Sequence, residues 1–282
     1  MSELLRLDSG AARVEIDSTE GATLMSYELS DGRQVLRPCP DGTAFQGCFI
    51  MAPWTNRLAG GVTVGGEFAA LEPNLEQFPL PIHGYVAQQS WEITASESTF
   101  ATLTTSVSGP APFAFDALVT YRLDEAALTI LLELTHRGDE PVPYGMGIHP
   151  WFPRTGQVSI RAHADNYFET GSDMLPSGRF EVSNNPAWDF SDGRDLPDDL
   201  IDTCFGGWDG SARIETPDWA MDVETDPPCG WYQIYSPSKD ADFFCFEPVT
   251  HPVNAHNEPG HPGLVQLARG ESMRQSIAFS PF

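Results

Sequence analysis

Glu247 stands in the apolar run Phe243-Phe244-Cys245-Phe246-Glu247-Pro248, and His251, Asn254, His256 and Asn257 follow it closely. A carboxylate there loses water on folding unless it turns outward. Burial disfavours its charged form and raises its pKa, which supplies the basicity needed to take a proton from an alcohol near neutral pH. Histidine offers a second titrating group, because its ordinary pKa lies nearest neutrality. His83, in Pro81-Ile82-His83-Gly84-Tyr85, and His149, in Gly147-Ile148-His149-Pro150, each sit where a strand meets a Gly or Pro turn. A single histidine of this kind is more often hydrogen-bonded and structural than catalytic. His136 and His163 have no matching context and read as structural.

Two further positions suit hydroxyl groups. Asn56-Arg57 follows the apolar lead Met51-Ala52-Pro53-Trp54-Thr55, and a planar guanidinium beside an aromatic wall can hold paired hydroxyls, although such an Arg is usually a surface residue. Asp202, after Pro197-Asp198-Asp199, can accept from two hydroxyls or serve as a turn carboxylate. Aromatic rings can complete a hydroxyl-binding site by packing on the apolar face of the same ligand. Trp54, Trp151 and Trp231 lie near the polar candidates in sequence, though most Trp in a β-sandwich fill the core, and none stands out as a stacking ring.

Asn56-Arg57, His83-Gly84, Gly147-Ile148-His149-Pro150-Trp151-Phe152, Asp202-Thr203-Cys204-Phe205, Gln233 in Trp231-Tyr232-Gln233-Ile234-Tyr235, and Glu247 recur together in one known pattern. In identity and chain order, from Asn56 to Asn257, they resemble the aldose 1-epimerase (mutarotase) family. The resemblance implies an all-β fold, a large antiparallel β-sandwich of the galactose mutarotase type, with a site on one concave face and no cofactor. It implies that Glu247 removes the anomeric hydroxyl proton and that His149 protonates the ring oxygen. Asn56, Arg57, His83, Asp202 and Gln233 would then hold and orient the sugar. The His- and Asn-rich segment Val249-Thr250-His251-Pro252-Val253-Asn254-Ala255-His256-Asn257 looks like a subfamily feature and points to a sugar other than galactose or glucose.

Two alternatives stay open. A hexose-6-phosphate epimerase would want an Arg or Lys cluster to neutralise the phosphate, and none is visible locally. A non-catalytic sugar-binding protein on the same fold would have no use for the matched pair of Glu247 and His149. Other chemistries lose support, because the chain has no Gly-x-Ser-x-Gly, Gly-x-Gly-x-x-Gly, His-Glu-x-x-His or phosphate-loop motif. A metal at His251, His256 and His261 is disfavoured, since Pro252, Pro259 and Pro262 oppose a helix that would stack the rings.

The elements that must position these residues are strands. Ala12-Arg13-Val14-Glu15-Ile16 alternates apolar with charged residues, and Leu128 to Thr135 keeps Leu or Ile on every second position. Similar runs occur at Phe100 to Val107, Leu118 to Leu123, Ala212 to Glu215, Met221 to Thr225, Trp231 to Tyr235 and Ser276 to Phe279. Gly65-Gly66, between Val62 and Phe68, fits a two-residue hairpin turn. The 24 Pro and 25 Gly fall mainly between such runs, as turns between many short strands require. Pro176 to Asp202 lacks periodicity and reads as a long excursion at the sandwich rim. One domain spanning residues 1–282 is the simpler expectation.

With 15 basic and 40 acidic residues the formal charge is −25, which repels nucleic acid and anionic lipid surfaces alike. Cys39, Cys48, Cys204, Cys229 and Cys245 are odd in number and widely spaced, as suits reduced thiols in a cytosol. The start, Met1-Ser2-Glu3-Leu4-Leu5-Arg6, lacks the basic patch and apolar core of a secretory signal. These readings together predict a cytoplasmic protein with a small-molecule sugar as its partner.

Overall fold

Period-2 alternation becomes strand burial in the computed structural model, which describes residues 4–39, 45–227 and 229–282. The first three residues of the amino-terminal segment therefore lie outside the described residues. In the strand Ala127–His136 every second side chain is buried, and Leu128, Ile130, Leu132 and Leu134 form its inner face. Fully burying each such side chain contributes about 1.5–3 kcal/mol. Among the described residues the strands make one ten-stranded and one nine-stranded sheet, with two small two-stranded ribbons. Pairing along the large sheets is antiparallel, as in Ala127–His136 with Ala114–Asp124 and with Ser272–Pro281. Among the described residues helix is limited to single 3-10 turns.

The two large sheets share one apolar core. Phe152, from the ten-stranded sheet, packs edge-on against Phe279 of the nine-stranded sheet at a centroid distance of 5.9 Å. Tyr121 reaches across to donate to the Ala22 carbonyl at 2.7 Å, so the buried hydroxyl is satisfied. Among the described residues no helix is long and apolar enough to cross a membrane. All five cysteines are buried, and Cys48, Cys204, Cys229 and Cys245 are free thiols.

The Gly65-Gly66 turn joins Gly61–Val64 to Glu67–Ala70 with both glycines at positive φ, +59° and +86°. Side chains are strained in that region, so the residue choice follows from the geometry. Pro176 to Asp202 differs from a plain loop. Pro176–Glu181 pairs at one edge of the ten-stranded sheet, and Arg194–Asp195 pairs at one edge of the nine-stranded sheet. Its side chains there are mostly exposed, and an edge strand with two solvated faces carries no apolar alternation to read.

The central strands break alternation in the opposite sense. Cys48–Met51 is buried at every position, and Phe243–Val249 at every position after the first. One face of each strand meets the core and the other lies beneath loops, and the candidate site lies on that loop-covered face.

Candidate active site

Five neighbouring strands of the ten-stranded sheet carry the site: Cys48–Met51, Gly147–Pro153, Phe243–Val249, Trp231–Ser236 and Ile201–Gly206. The register places Phe49 beside His149, Glu247 beside Gln233, and Gln233 beside Cys204. Gly147 pairs with Val249 and Trp151 with Cys245, which brings His149 and Glu247 face to face between them. A single row, Phe49, His149, Glu247, Gln233 and Cys204, thus crosses the sheet. Residues two apart share a face, so Trp151, Cys245, Tyr235 and Asp202 form the next row on the same side.

Within this frame His149 Nε2 lies 3.3 Å from Glu247 Oε1, and Phe49 stacks on the imidazole at 4.6 Å and 23°. His83 meets the same ring edge-on at 5.1 Å. Gln233 Nε2 donates to Asp202 Oδ1 at 2.6 Å, and the Arg57 guanidinium lies 3.9 Å from the other Asp202 oxygen. Asn56 Oδ1 accepts from the Arg57 backbone N–H at 2.8 Å. Asn56 and His83 both hold left-handed backbone, with φ of +53° and +57°, a conformation that costs about 1–2 kcal/mol for an ordinary residue. They support one another: the Asn56 N–H donates to His83 Nδ1 at 3.2 Å and the His83 N–H to the Asn56 carbonyl at 3.0 Å.

Asn56, Arg57, His83, His149, Asp202 and Glu247 line one cavity of about 480 Å³, a size that suits a small ligand. Gln233 is not among its lining residues; it lines a small adjoining pocket with Asn56, Arg57 and Asp202, and holds Asp202 by a hydrogen bond. Glu247 Oε2, His149 Nδ1 and Gln233 Oε1 are buried polar atoms without a partner among the described residues. Groups of that kind cost stability unless water or a ligand satisfies them.

The electrostatics follow from burial. Desolvation, then repulsion from Asp202, drives the Glu247 carboxyl well above its ordinary 4.5, with Arg57 in partial opposition. Desolvation pushes His149 down to about 3. His83 falls well below 6.5, chiefly through desolvation and then through His149 and Arg57. With Nδ1 accepting from Asn56, neutral His83 carries its proton on Nε2 and can donate there. Asp202 is raised by burial, against Arg57 and Gln233. An ion pair of Glu247 with His149 and a neutral pair hold the same single proton and differ by one short transfer. Their titration belongs to the pair. The arrangement can therefore give a proton to one oxygen of a bound molecule while taking one from another.

Metal chemistry has one candidate among the described residues: donor atoms of His149, Cys245 and Glu247 lie within 4.8 Å of one another. Burial, with Glu247 and Asp202 nearby, holds the Cys245 thiol well above 9.0. His251, His256 and His261 do not gather into a ligand set. His251 Nε2 accepts from the Thr55 N–H at 3.0 Å and its Nδ1 pairs with the Pro252 carbonyl at 2.8 Å, while His256 Nε2 pairs with the Pro143 carbonyl at 3.0 Å. His136 is likewise structural, bonded to Tyr144 and to the Glu140 carbonyl.

The aromatic wall was only partly visible in sequence, where Trp151 was a candidate and Phe49, Phe78 and Tyr235 were not. Phe49, Phe78, Trp151 and Tyr235 line the cavity, whereas Trp54 is buried against Tyr85 and Phe113 in the core. Phe49 sits in the unbroken apolar run Cys48 to Met51, and only the strand register shows which of those residues faces the site. A second depression, of about 360 Å³, lies on the nine-stranded sheet around Arg161, His163 and Arg213. Arg213 pairs there with Asp222 at 3.5 Å in solvent, and nothing in it is dry enough to resemble the Glu247 site.

A family model described as aldose 1-epimerase matches residues 3–280. An uncharacterized Escherichia coli K12 protein, YphB, is 32% identical over 285 residues, spanning 96% of each chain. A crystal structure of an Escherichia coli K12 protein, provisionally described as an aldose 1-epimerase, superposes with a TM-score of 0.93 at 27% identity, over 99% of both chains. A galactose mutarotase-like protein from Clostridium acetobutylicum shares the fold at a TM-score of 0.84 and 17% identity, over 98% of this chain and 94% of that one.

Proposed function

The chain belongs to the aldose 1-epimerase family, and we propose that it interconverts the α and β anomers of a free aldose. The observation that carries this reading is the facing pair of Glu247 and His149, 3.3 Å apart, desolvated, and open to a cavity lined by hydroxyl-binding groups. Glu247 takes the proton of the anomeric hydroxyl. Its O–H electron pair becomes the carbonyl π bond, the bond from the anomeric carbon to the ring oxygen breaks, and His149 gives its proton to that oxygen. Rotation of the aldehyde about its bond to the next carbon, followed by closure with the two groups in exchanged roles, yields the other anomer. Protons and electrons balance without a cofactor. Arg57, Asp202, Asn56 and the Nε2–H of His83 orient the hydroxyls, and Gln233 fixes Asp202. Freshly dissolved pure anomers of a panel of aldoses, followed by polarimetry or anomeric-proton NMR, test the reading. No acceleration for any sugar would leave a binding protein.

The shared proton has a pH signature. The working pair holds one proton: a second blocks the base, and loss of the first removes the acid. Because His149 is pushed down, the acid limb of kcat/KM should lie below the ordinary histidine value of 6.5. Because Glu247 is pushed up, the alkaline limb should lie above the ordinary carboxylate value of 4.5. An acid limb centred at 6.5 would contradict the paired assignment.

Free aldoses should be turned over better than their 6-phosphates. Arg57 is the sole Lys or Arg among the described residues lining the cavity, and Asp202 already faces it. A phosphate would meet two carboxyl groups and no free cation, at a cost set by like charge at short range. Competition kinetics decide this, and a higher kcat/KM for a 6-phosphate would move the function to the hexose-6-phosphate alternative.

A further inference from the structure

The loop that follows Glu247 grips the stretch of backbone that carries Asn56 and Arg57 into the cavity. The Thr55 N–H, in a residue only 2% exposed, donates to His251 Nε2 at 3.0 Å. The Asn254 N–H donates to the Arg57 carbonyl at 3.2 Å, and Asn254 Oδ1 accepts from the Ala59 N–H at 2.9 Å. Asn257 Nδ2 donates to Asn254 Oδ1 at 2.8 Å and reaches the Ala59 carbonyl at 3.2 Å. Every one of these bonds ends on the backbone that flanks Asn56 and Arg57, or on the Asn254 side chain that holds it.

That backbone needs holding. Asn56 is left-handed, and Asn254 mirrors it at φ +61°, where Asn is one of the few side chains tolerated. Strained conformations persist only when their surroundings over-determine them. We propose that His251 and Asn254 are positioning residues, which fix the Asn56-Arg57 turn in its sugar-holding geometry from a loop distant in sequence. The His- and Asn-rich composition of the segment then has a physical cause. His251 serves as a neutral acceptor, its Nδ1–H held by Pro252, and Asn254 combines left-handed backbone with a carbonyl oxygen. The effect on turnover rests on the mutarotase reading, while the clamp itself does not.

The test compares Asn254→Ala, Asn254→Gly and Asn254→Asp, with His251→Leu and His251→Gln beside them. Asn254→Asp keeps the acceptor and tolerates the backbone, so it should behave as the parent. Asn254→Gly relieves the backbone but lacks the acceptor, and like Asn254→Ala it should raise KM about ten-fold, with kcat within about three-fold. His251→Gln, which retains an acceptor at the ε position, should be milder than His251→Leu. Should the His251 variants fail to fold, the Asn254 series carries the test. Amide hydrogen exchange at Thr55 and Ala59 is read on the same proteins without any sugar: Ala59 should exchange faster in Asn254→Ala and Asn254→Gly but not in Asn254→Asp. Unchanged exchange, or equal damage from Asp and Ala, overturns the clamp. An inactive parent with the expected exchange pattern overturns the mutarotase reading instead.

Discussion

Glu247→Gln should lower kcat for anomer exchange by about two orders of magnitude or more, the usual cost of losing general acid–base catalysis and equivalent to about 2.7 kcal/mol of barrier. The amide keeps the shape of the side chain and still reaches a hydroxyl, so the sugar dissociation constant should change far less. The fold should tolerate the change, because the carboxyl is 2% exposed and already driven toward its neutral form. Replacing it by an uncharged isostere adds no desolvation cost. Calorimetry, melting temperature and anomeric-proton NMR would be read on one preparation. A folded Glu247→Gln protein that converts anomers at close to the parental rate would remove the base, and with it the strongest reason to prefer a catalyst over a binder.

His149→Asn should reduce kcat comparably, and the Glu247→Gln, His149→Asn double variant should be little worse than either single one. The reason is geometric. The two side chains face each other at 3.3 Å and share one proton, so losing either leaves the other without its counterpart, and the losses do not add. His149 also carries the stacked face of Phe49, so this substitution should cost stability of about 0.5–1.5 kcal/mol that Glu247→Gln does not. Losses that multiply in the double variant would mean that the groups act independently, on separate steps.

Much of the scaffold was legible because alternation is a local property. Leu128 to Thr135 reads as a strand from its own residues, and its burial follows. Pro176–Glu181 was not legible, since an edge strand exposed on both faces has no apolar period. Among the site residues, Glu247 drew notice from its neighbours alone, as a carboxylate that burial would desolvate. Gln233 did not, because nothing in Trp231 to Tyr235 distinguishes an inward amide from a core residue, and only the family pattern marked it. His251 and His256 drew notice as donor atoms, with a metal disfavoured by the surrounding prolines, but sequence does not say what those atoms bond, and both rings serve backbone groups.

Taken by itself, the sequence determined the strands, the strongly acidic balance and the chemical types available for proton transfer and hydroxyl recognition. These are properties of residues and of short windows, set by side-chain chemistry and by which face of a strand is apolar. Tertiary structure alone decided that His149 faces Glu247, that Phe49 packs beneath the imidazole, and that Thr55 meets His251 across 196 positions of chain. Strand order and register are collective, because a slip of one residue would turn every side chain of a strand to the other face. Only the closed arrangement of sheets and loops can desolvate one carboxyl and one imidazole together, and that shared burial moves their proton equilibria toward each other's chemistry.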